Sequence, residues 1–316
     1  MSEHAVILDG VRKTFSGHVA VDDLDLEIPA GALFGFIGPN GSGKSTSLRM
    51  ILRIFYPDRG RVVVLGAEHS RAADDRVGYL PEERGLYRKM KVAEVLRFHA
   101  QLKGVRDPRS AIAAWLDRLE LGKWADKPVE ALSKGMAQKV QFIAAAIHNP
   151  ALLILDEPFS GLDPVNLEVL KDAMLELRRQ GTTVIFSTHD MSAAENLCDH
   201  VMMIHRGRKV LDGSPAAIRQ RYGHDTLRVR TRDPDLDLAS LPGITGVSDY
   251  GHTKELRLAA AADPQAILRE LMAQTEVSHF EVAEPSLHDI FVRIAKPSEP
   301  AEAAASSATE AAHGPA

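Results

Sequence analysis

With 316 residues, the chain has room for about two domains. At 45% hydrophobic and 26% charged residues it can bury a sizeable core. A formal net charge of -5 argues against a dedicated nucleic-acid binder, which carries a basic face. Cys198 is the only cysteine, which excludes an internal disulfide and a cysteine-rich metal site and points to the cytosol.

The start, Met1-Ser2-Glu3-His4, leads straight into a short apolar run, so no signal peptide is expected. No run approaches the roughly 20 apolar residues of a spanning helix. Val6 to Val11 and Val19 to Ile28 alternate apolar and polar residues, as strands do. Leu33 to Ile37 is a short apolar strand, Gly38 to Gly43 a glycine-rich loop, and Lys44 to Phe55 a helix. Arg61 to Leu65 follows as a strand. Helices are expected over Val92 to Lys103, Arg109 to Leu121 and Ala137 to His148. Leu152 to Leu155 reads as a buried strand, Asn166 to Gln180 as a helix and Thr182 to Ser187 as a β-branched strand. Val201 to Ile204 and Lys209 to Asp212 form an expected hairpin. Apolar strands alternating with helices predict a largely parallel sheet covered on both faces.

A boundary is expected near Tyr222-Gly223-His224. Beyond it, strands over Thr226 to Thr231, Glu255 to Leu258 and Val277 to Val282 and helices over Asp263 to Gln274 and Ser286 to Ile294 make a small α+β domain. Residues 297–316, rich in Ala, Ser, Glu and Pro, are expected to be a disordered tail.

The most informative segment is Gly38-Pro39-Asn40-Gly41-Ser42-Gly43-Lys44-Ser45-Thr46, which fits G-x-x-x-x-G-K-S/T between a strand and a helix. Its glycines let successive backbone N–H groups converge on one anion, and the helix adds its positive end. Lys44 is then placed for the β- and γ-phosphates of a nucleotide and Ser45 for magnesium. The second is Leu152-Leu153-Ile154-Leu155-Asp156-Glu157-Pro158, an apolar strand ending in two adjacent carboxylates. Two acids there are costly unless a cation meets them. Asp156 suits magnesium, through water, and Glu157 suits a general base acting on water.

With Leu132-Ser133-Lys134-Gly135-Met136, which resembles the L-S-G-G-Q signature, these motifs resemble the nucleotide-binding subunits of ABC transporters. The resemblance runs from about Val6 to Tyr222. It implies an α/β P-loop NTPase fold, an ABC ATPase over 1–222, with a helical subdomain at about 84–148 and the small α+β domain at 224–296. It also implies a homodimer or heterodimer in which Ser133 and Gly135 of one subunit meet ATP held by the other. Lys134 replaces a glycine, as in an export-type subfamily, and Met136 replaces the glutamine. Ser133 alone also reads as a helix N-cap.

By the same resemblance His189 contacts the γ-phosphate, Phe15 stacks on adenine, and Ser160-Gly161-Leu162-Asp163 lies at the dimer interface. That last segment also reads as a turn with Asp163 capping a helix and Pro164 in its first position. Gly78-Tyr79-Leu80-Pro81-Glu82-Glu83-Arg84-Gly85-Leu86-Tyr87 stands in the place of the glutamine loop, with Glu82 where a glutamine would ligate magnesium. It resembles subunits of sodium-extrusion and related exporters. The basic stretch from Arg88 to Arg109 reads as a solvated face or as a docking site for a permease helix, with Leu86, Tyr87, Met90 and Phe98 as apolar contacts.

The expected function is an ATP-hydrolysing subunit, with ATP and magnesium, that powers a separate integral-membrane permease from the cytoplasmic face. Export is expected and nucleic acid is not. The alternative is a soluble ABC ATPase acting on ribosomes or nucleic acid; no second ATPase unit or long coiled coil is visible to favour it.

Overall fold

The long alternating strands at the start of the chain and the fully buried strands that follow belong to two different sheets. The computed structural model describes residues 3–68, 75–83, 85–223, 225–233, 236–259 and 262–295. The expected tail, 297–316, lies outside the described residues, as do Arg84 and His224. The chain divides into two compact units, Met1–Pro215 and Ala216–Ala316.

In the first unit, β1 (His4–Phe15) and β2 (His18–Pro29) run antiparallel. The fully buried β3 (Leu33–Ile37) leads through the glycine loop into α1 (Lys44–Ile51). Next come β4 (Arg59–Val64), β5 (Val77–Leu80), α2 (Val92–Leu102), α3 (Arg109–Arg118) and α4 (Lys134–Ala146). Then follow β6 (Leu152–Asp156), α5 (Pro164–Arg179), β7 (Thr183–Thr188), α6 (Met191–Leu197), β8 (His200–His205) and β9 (Arg208–Gly213).

Among the described residues, the larger sheet has the order β5-β6-β7-β3-β8-β9. It is parallel from β5 to β8, with β9 antiparallel at the edge. The smaller, β2-β1-β4, is antiparallel. The expected parallel sheet is therefore present, and a second sheet stands beside it. One core joins the two: Val6, Leu8, Leu24 and Leu26 from the small sheet meet Phe34, Phe36 and Ile154 from the large one, with Leu48 and Met50 of α1 in the same cluster. Phe34 and Phe36 are 1% and 0% exposed, which contributes about 1.5–3 kcal/mol each.

Local chemistry sets the helix ends. α1 stops short of the expected Phe55 because Arg53 turns left-handed at φ 58°. The N–H groups of Ile54 and Phe55 then both reach back to the carbonyl of Arg49, at 2.9 and 3.2 Å. α4 starts three residues before the expected Ala137, because the Ser133 hydroxyl accepts from the Met136 N–H at 3.3 Å. α5 opens with Pro164 at its first position, and Asp163 accepts from the N–H groups of Val165 and Asn166, both at 3.1 Å.

The helix α7 (Pro215–Tyr222) leads into the second unit. There β10 (Thr226–Thr231), β11 (Ile244–Asp249), β12 (Lys254–Leu258) and β13 (Val277–Ala283) pair in the order β11-β12-β10-β13, all antiparallel. Helix α8 (Pro264–Gln274) buries Ile267 and Leu271 against Leu227, Val229 and Leu256. Helix α9 (Leu287–Ala295) buries Leu287 and Ile290. Among the described residues, no helix is long and apolar enough to cross a membrane.

The edge of β3 is fastened by one side chain. Asp199 accepts from the Leu33 N–H at 2.9 Å and from Arg178 Nη2 at 2.6 Å. Replacing Asp199 by Ala leaves a donor beside fully buried Leu33 without its partner. Urea unfolding of Asp199→Ala is expected to show a stability lower by about 1–3 kcal/mol, at unchanged slope.

Candidate functional site

The carboxyl ends of β3, β6 and β7 meet at one place in the sheet, where ligands of open α/β folds bind. The glycine loop follows β3. At Gly43, φ is 112°, and a Cβ there would meet the Ala20 carbonyl oxygen at 2.5 Å. Only glycine fits. Gly38 is closed in the same way by the Ile204 carbonyl oxygen, 2.3 Å from a built Cβ. Lys44 folds back over the loop, donating to the carbonyls of Gly38 at 2.8 Å and Pro39 at 3.2 Å.

Asp156 and Glu157 close β6. Asp156 is fully buried. Its Oδ1 accepts from Ser45 Oγ at 3.2 Å and from Ser187 Oγ. Its Oδ2 is buried without a hydrogen-bond partner. The Glu157 backbone is left-handed, at φ 49°, and its N–H donates to Ser187 Oγ at 3.0 Å. The Glu157 carboxylate lies 3.1 Å from His189 Nδ1 and 3.8 Å from Lys44 Nζ. Burial lowers the Lys44 pKa, and the carboxylates of Glu157, Asp156 and Glu82 push it back up.

These groups border a cleft of about 540 Å³ lined by Phe15, His18, Ala20, Asn40, Gly41, Gly43, Lys44, Ser45, Thr46, Glu82 and Glu157. Nine of the residues singled out in the sequence thus share one cavity. Gly38 and Ser42 belong to the loop but not to the lining, and Asp156 and His189 join through Ser45 and Glu157. Phe15 is 38% exposed, its edge on Phe55 at 5.2 Å and Lys13 Nζ 5.5 Å from the ring centre. Ser133 and Gly135 do not line the cleft. They open α4, whose Gln138 amide donates to the Pro158 carbonyl at 3.0 Å, next to Glu157.

The loop fits a triphosphate: its glycine backbone is closed to side chains but open to an anion. The unpartnered Asp156 Oδ2 and the neighbouring Ser45 hydroxyl fit a hydrated magnesium ion. Among the described residues no group of three His, Cys, Asp or Glu side chains could hold a metal alone, so such an ion would need oxygens from a phosphate.

The ABC transporter family matches residues 21–160. An ABC transporter ATP-binding protein of Bacillus subtilis, YhaQ, is 41% identical over 287 residues, which is 90% of this chain and 96% of the relative. The chain belongs to the ABC transporter ATP-binding proteins. It is an ABC ATPase, whose hydrolysis of ATP is coupled to transport. Nod factor export ATP-binding protein I of Sinorhizobium fredii is 34% identical, over 93% of this chain and 86% of the relative. A solved ATP-binding subunit of an ABC transporter superposes with a TM-score of 0.65 at 28% identity, over 69% of this chain and 93% of the other. For cbiO1 of Clostridium perfringens, part of the ABC transporter complex cbiONQ, the TM-score is 0.62 at 25% identity, over 70% and 92%. Residues 213–295 match the C-terminal domain of DrrA1-3-like ATP-binding proteins.

Three residues of this ABC ATPase site carry no motif in the sequence analysis: His18 and Ala20, which line the cleft, and Ser187. His18 lines the cleft from the start of β2, with no motif to mark it. Ser187 does more: one hydroxyl holds both the Asp156 carboxylate and the Glu157 N–H. Its only signal is its place near the end of a buried β-branched strand. Ser187→Ala should lower steady-state ATP turnover by about tenfold or more, because both acids lose their shared anchor. Phosphate release against the wild type measures it.

Proposed function

We propose that two copies of this chain, or this chain and a similar subunit, pair head to tail around two ATP molecules and drive a separate integral-membrane permease, in the direction of export. The observation that carries the reading is the division of the motifs. The cleft holds the glycine loop, Lys44, Ser45 and Glu157, while Ser133 and Gly135 lie outside its lining. A signature segment placed away from its own cleft is free to serve a partner's. Export is supported by the named role of the Nod factor export relatives, and the permease by the cbiONQ complex of the structural relative. The site then faces the cytoplasm, at the inner face of the membrane.

In this reading residues 1–222 are the ATPase and 224–296 a separate C-terminal domain. Phe15 stacks on the adenine. Gly38, Asn40, Gly41, Ser42, Gly43 and Thr46 wrap the phosphates with backbone and side-chain donors, and Lys44 leaves the loop carbonyls for the β- and γ-phosphates. Ser45, Asp156 and Glu82 hold magnesium, directly or through water. Bound there, the ion neutralises charge on the phosphates. Glu157 accepts a proton from the attacking water, and His189, hydrogen-bonded to Glu157, orients it and faces the γ-phosphate. Ser133 and Gly135 of the partner cap that phosphate. ATP binding closes the pair and hydrolysis releases it, a two-state element that a permease can follow.

A cavity of about 410 Å³ gives the permease a place to dock. Its walls are Ile51, Val64, Val77, Leu86 and Leu102, with His99 and His148. Burial brings the His148 pKa down to about 4, so it is neutral at physiological pH. Tyr87 and Phe98, 53% and 37% exposed, meet edge to face at 5.5 Å nearby in sequence.

Glu157→Gln should retain ATP and accumulate as a dimer with ATP bound, with turnover reduced about a hundredfold or more. Light scattering with and without ATP, beside phosphate release, tests both parts; wild-type turnover removes the role of Glu157. Co-purification from detergent with a polytopic membrane protein supports the permease, and sedimentation with ribosomes instead removes it.

A further inference from the structure

Gln141 lies in α4, two turns beyond the signature segment, and belongs to none of the motifs above. It is 5% exposed. Its amide Nε2 donates to the Pro81 carbonyl at 3.1 Å and to the Glu83 carbonyl at 3.3 Å. Those two carbonyls flank Glu82. One buried amide thus staples the turn that carries Glu82, on both sides of it. A turn free of such a clamp would let the carboxylate swing among several rotamers, at an entropy cost whenever a ligand fixes it.

Glu82 itself is exposed, lines the nucleotide cleft beside Lys44, Ser45 and Glu157, and exerts its charge on Lys44. The other end of the Gln141 amide points elsewhere. Its Oε1 is buried and has no hydrogen-bond partner, and the side chain lines the apolar cavity with Leu86, His99 and His148. An unpaired buried carbonyl is unfavourable. The side chain is held in place, therefore, by its Nε2 bonds to the Glu82 turn and not by its own full satisfaction.

We propose that Gln141 is a positioning residue for Glu82: it sets the carboxylate against the metal-binding face of the nucleotide cleft. The inference rests on the reading of Glu82 as a magnesium-facing group. Gln141 does not line the nucleotide cleft. Its effect passes through the backbone of Pro81 and Glu83. A leucine at 141 keeps the bulk and the apolar wall but loses both donated bonds, which releases the turn.

The test is a double-mutant cycle on binding rather than turnover. ATP affinity is measured by titration calorimetry with and without magnesium, in the Glu157→Gln background to stop hydrolysis, for Gln141→Leu, Glu82→Ala and the double variant. The ratio of the two affinities reads the contribution of the ion. Gln141→Leu should lower that ratio by about tenfold, as loss of a group that orients a ligand does, leaving ATP binding without magnesium unchanged. Glu82→Ala should lower it at least as much, and the double variant no further. If Gln141→Leu lowers the ratio equally in the Glu82→Ala background, the effect does not pass through Glu82 and the proposal is wrong. If it lowers only the melting temperature and leaves the ratio untouched, Gln141 is a packing residue and the proposal is equally wrong. If Glu82→Ala itself leaves the ratio unchanged, it is the role of Glu82 that fails, which separates the two ideas.

Discussion

The site is organised around an ammonium and two carboxylates forced out of water together. Asp156 is 0% exposed, Glu157 9% and Lys44 6%. Any one of them alone would be strongly destabilising at that depth. Together they compensate in part: Lys44 lies 3.8 Å from Glu157, and the neighbouring acids oppose the loss of its proton that burial favours. The compensation is incomplete. Asp156 Oδ2 has no hydrogen-bond partner, and Lys44 bonds only to loop carbonyls. Such a site is poised for a ligand carrying negative phosphates for Lys44 and a cation for Asp156, and ATP with magnesium brings both.

The rest of the first unit can be read as what holds those three groups still. β3 leads into the loop before Lys44, β6 leads to the two acids, and β7 between them supplies Ser187 and leads to His189. The order β6-β7-β3 therefore places the anchor strand between the two it serves. The left-handed backbone at Glu157 belongs to the same arrangement. A non-glycine residue there costs about 1 kcal/mol or more, and the bond from its N–H to Ser187 offsets part of that.

Legibility followed sequence distance. The phosphate loop is nine contiguous residues whose chemistry is local, so the sequence alone assembled it. The strand ending in Asp156 and Glu157 was legible for the same reason. Ser187 was not, because its partners are about thirty residues away along the chain and its own segment carries no motif. Strand β5 is hidden in the expected glutamine-loop segment, since only four residues of it are regular and a glycine sits among them. The helices α6 and α7, seven and eight residues long, and the strand β11, mostly exposed, carry too weak a periodicity to stand out. The three-stranded sheet could not be foreseen either: β1 and β2 alternate as antiparallel strands do, but the pairing of β1 with β4 across the glycine loop and α1 is a tertiary fact.

The departures from the signature gain meaning from the same geometry. Gly161 has φ 72°, and a Cβ built there would meet the Lys134 side chain at 2.4 Å. Lys134 thus lies flat over the turn Ser160-Gly161-Leu162-Asp163, in the space that the absence of a side chain provides. A glycine at 134 would leave that surface open, whereas the lysine covers it and brings its charge to a cavity shared with Glu82, Glu83 and Arg49. Two segments that the family resemblance places at a dimer interface are in this way tied to each other within one chain. In the proposed dimer a partner would meet both as one surface, and an ammonium there would be complementary to its phosphates. Met136 fits the same picture. Its side chain cannot hydrogen-bond a nucleotide, but its backbone N–H already serves the Ser133 cap. The polar contribution of the segment therefore rests on Ser133, Lys134 and the backbone.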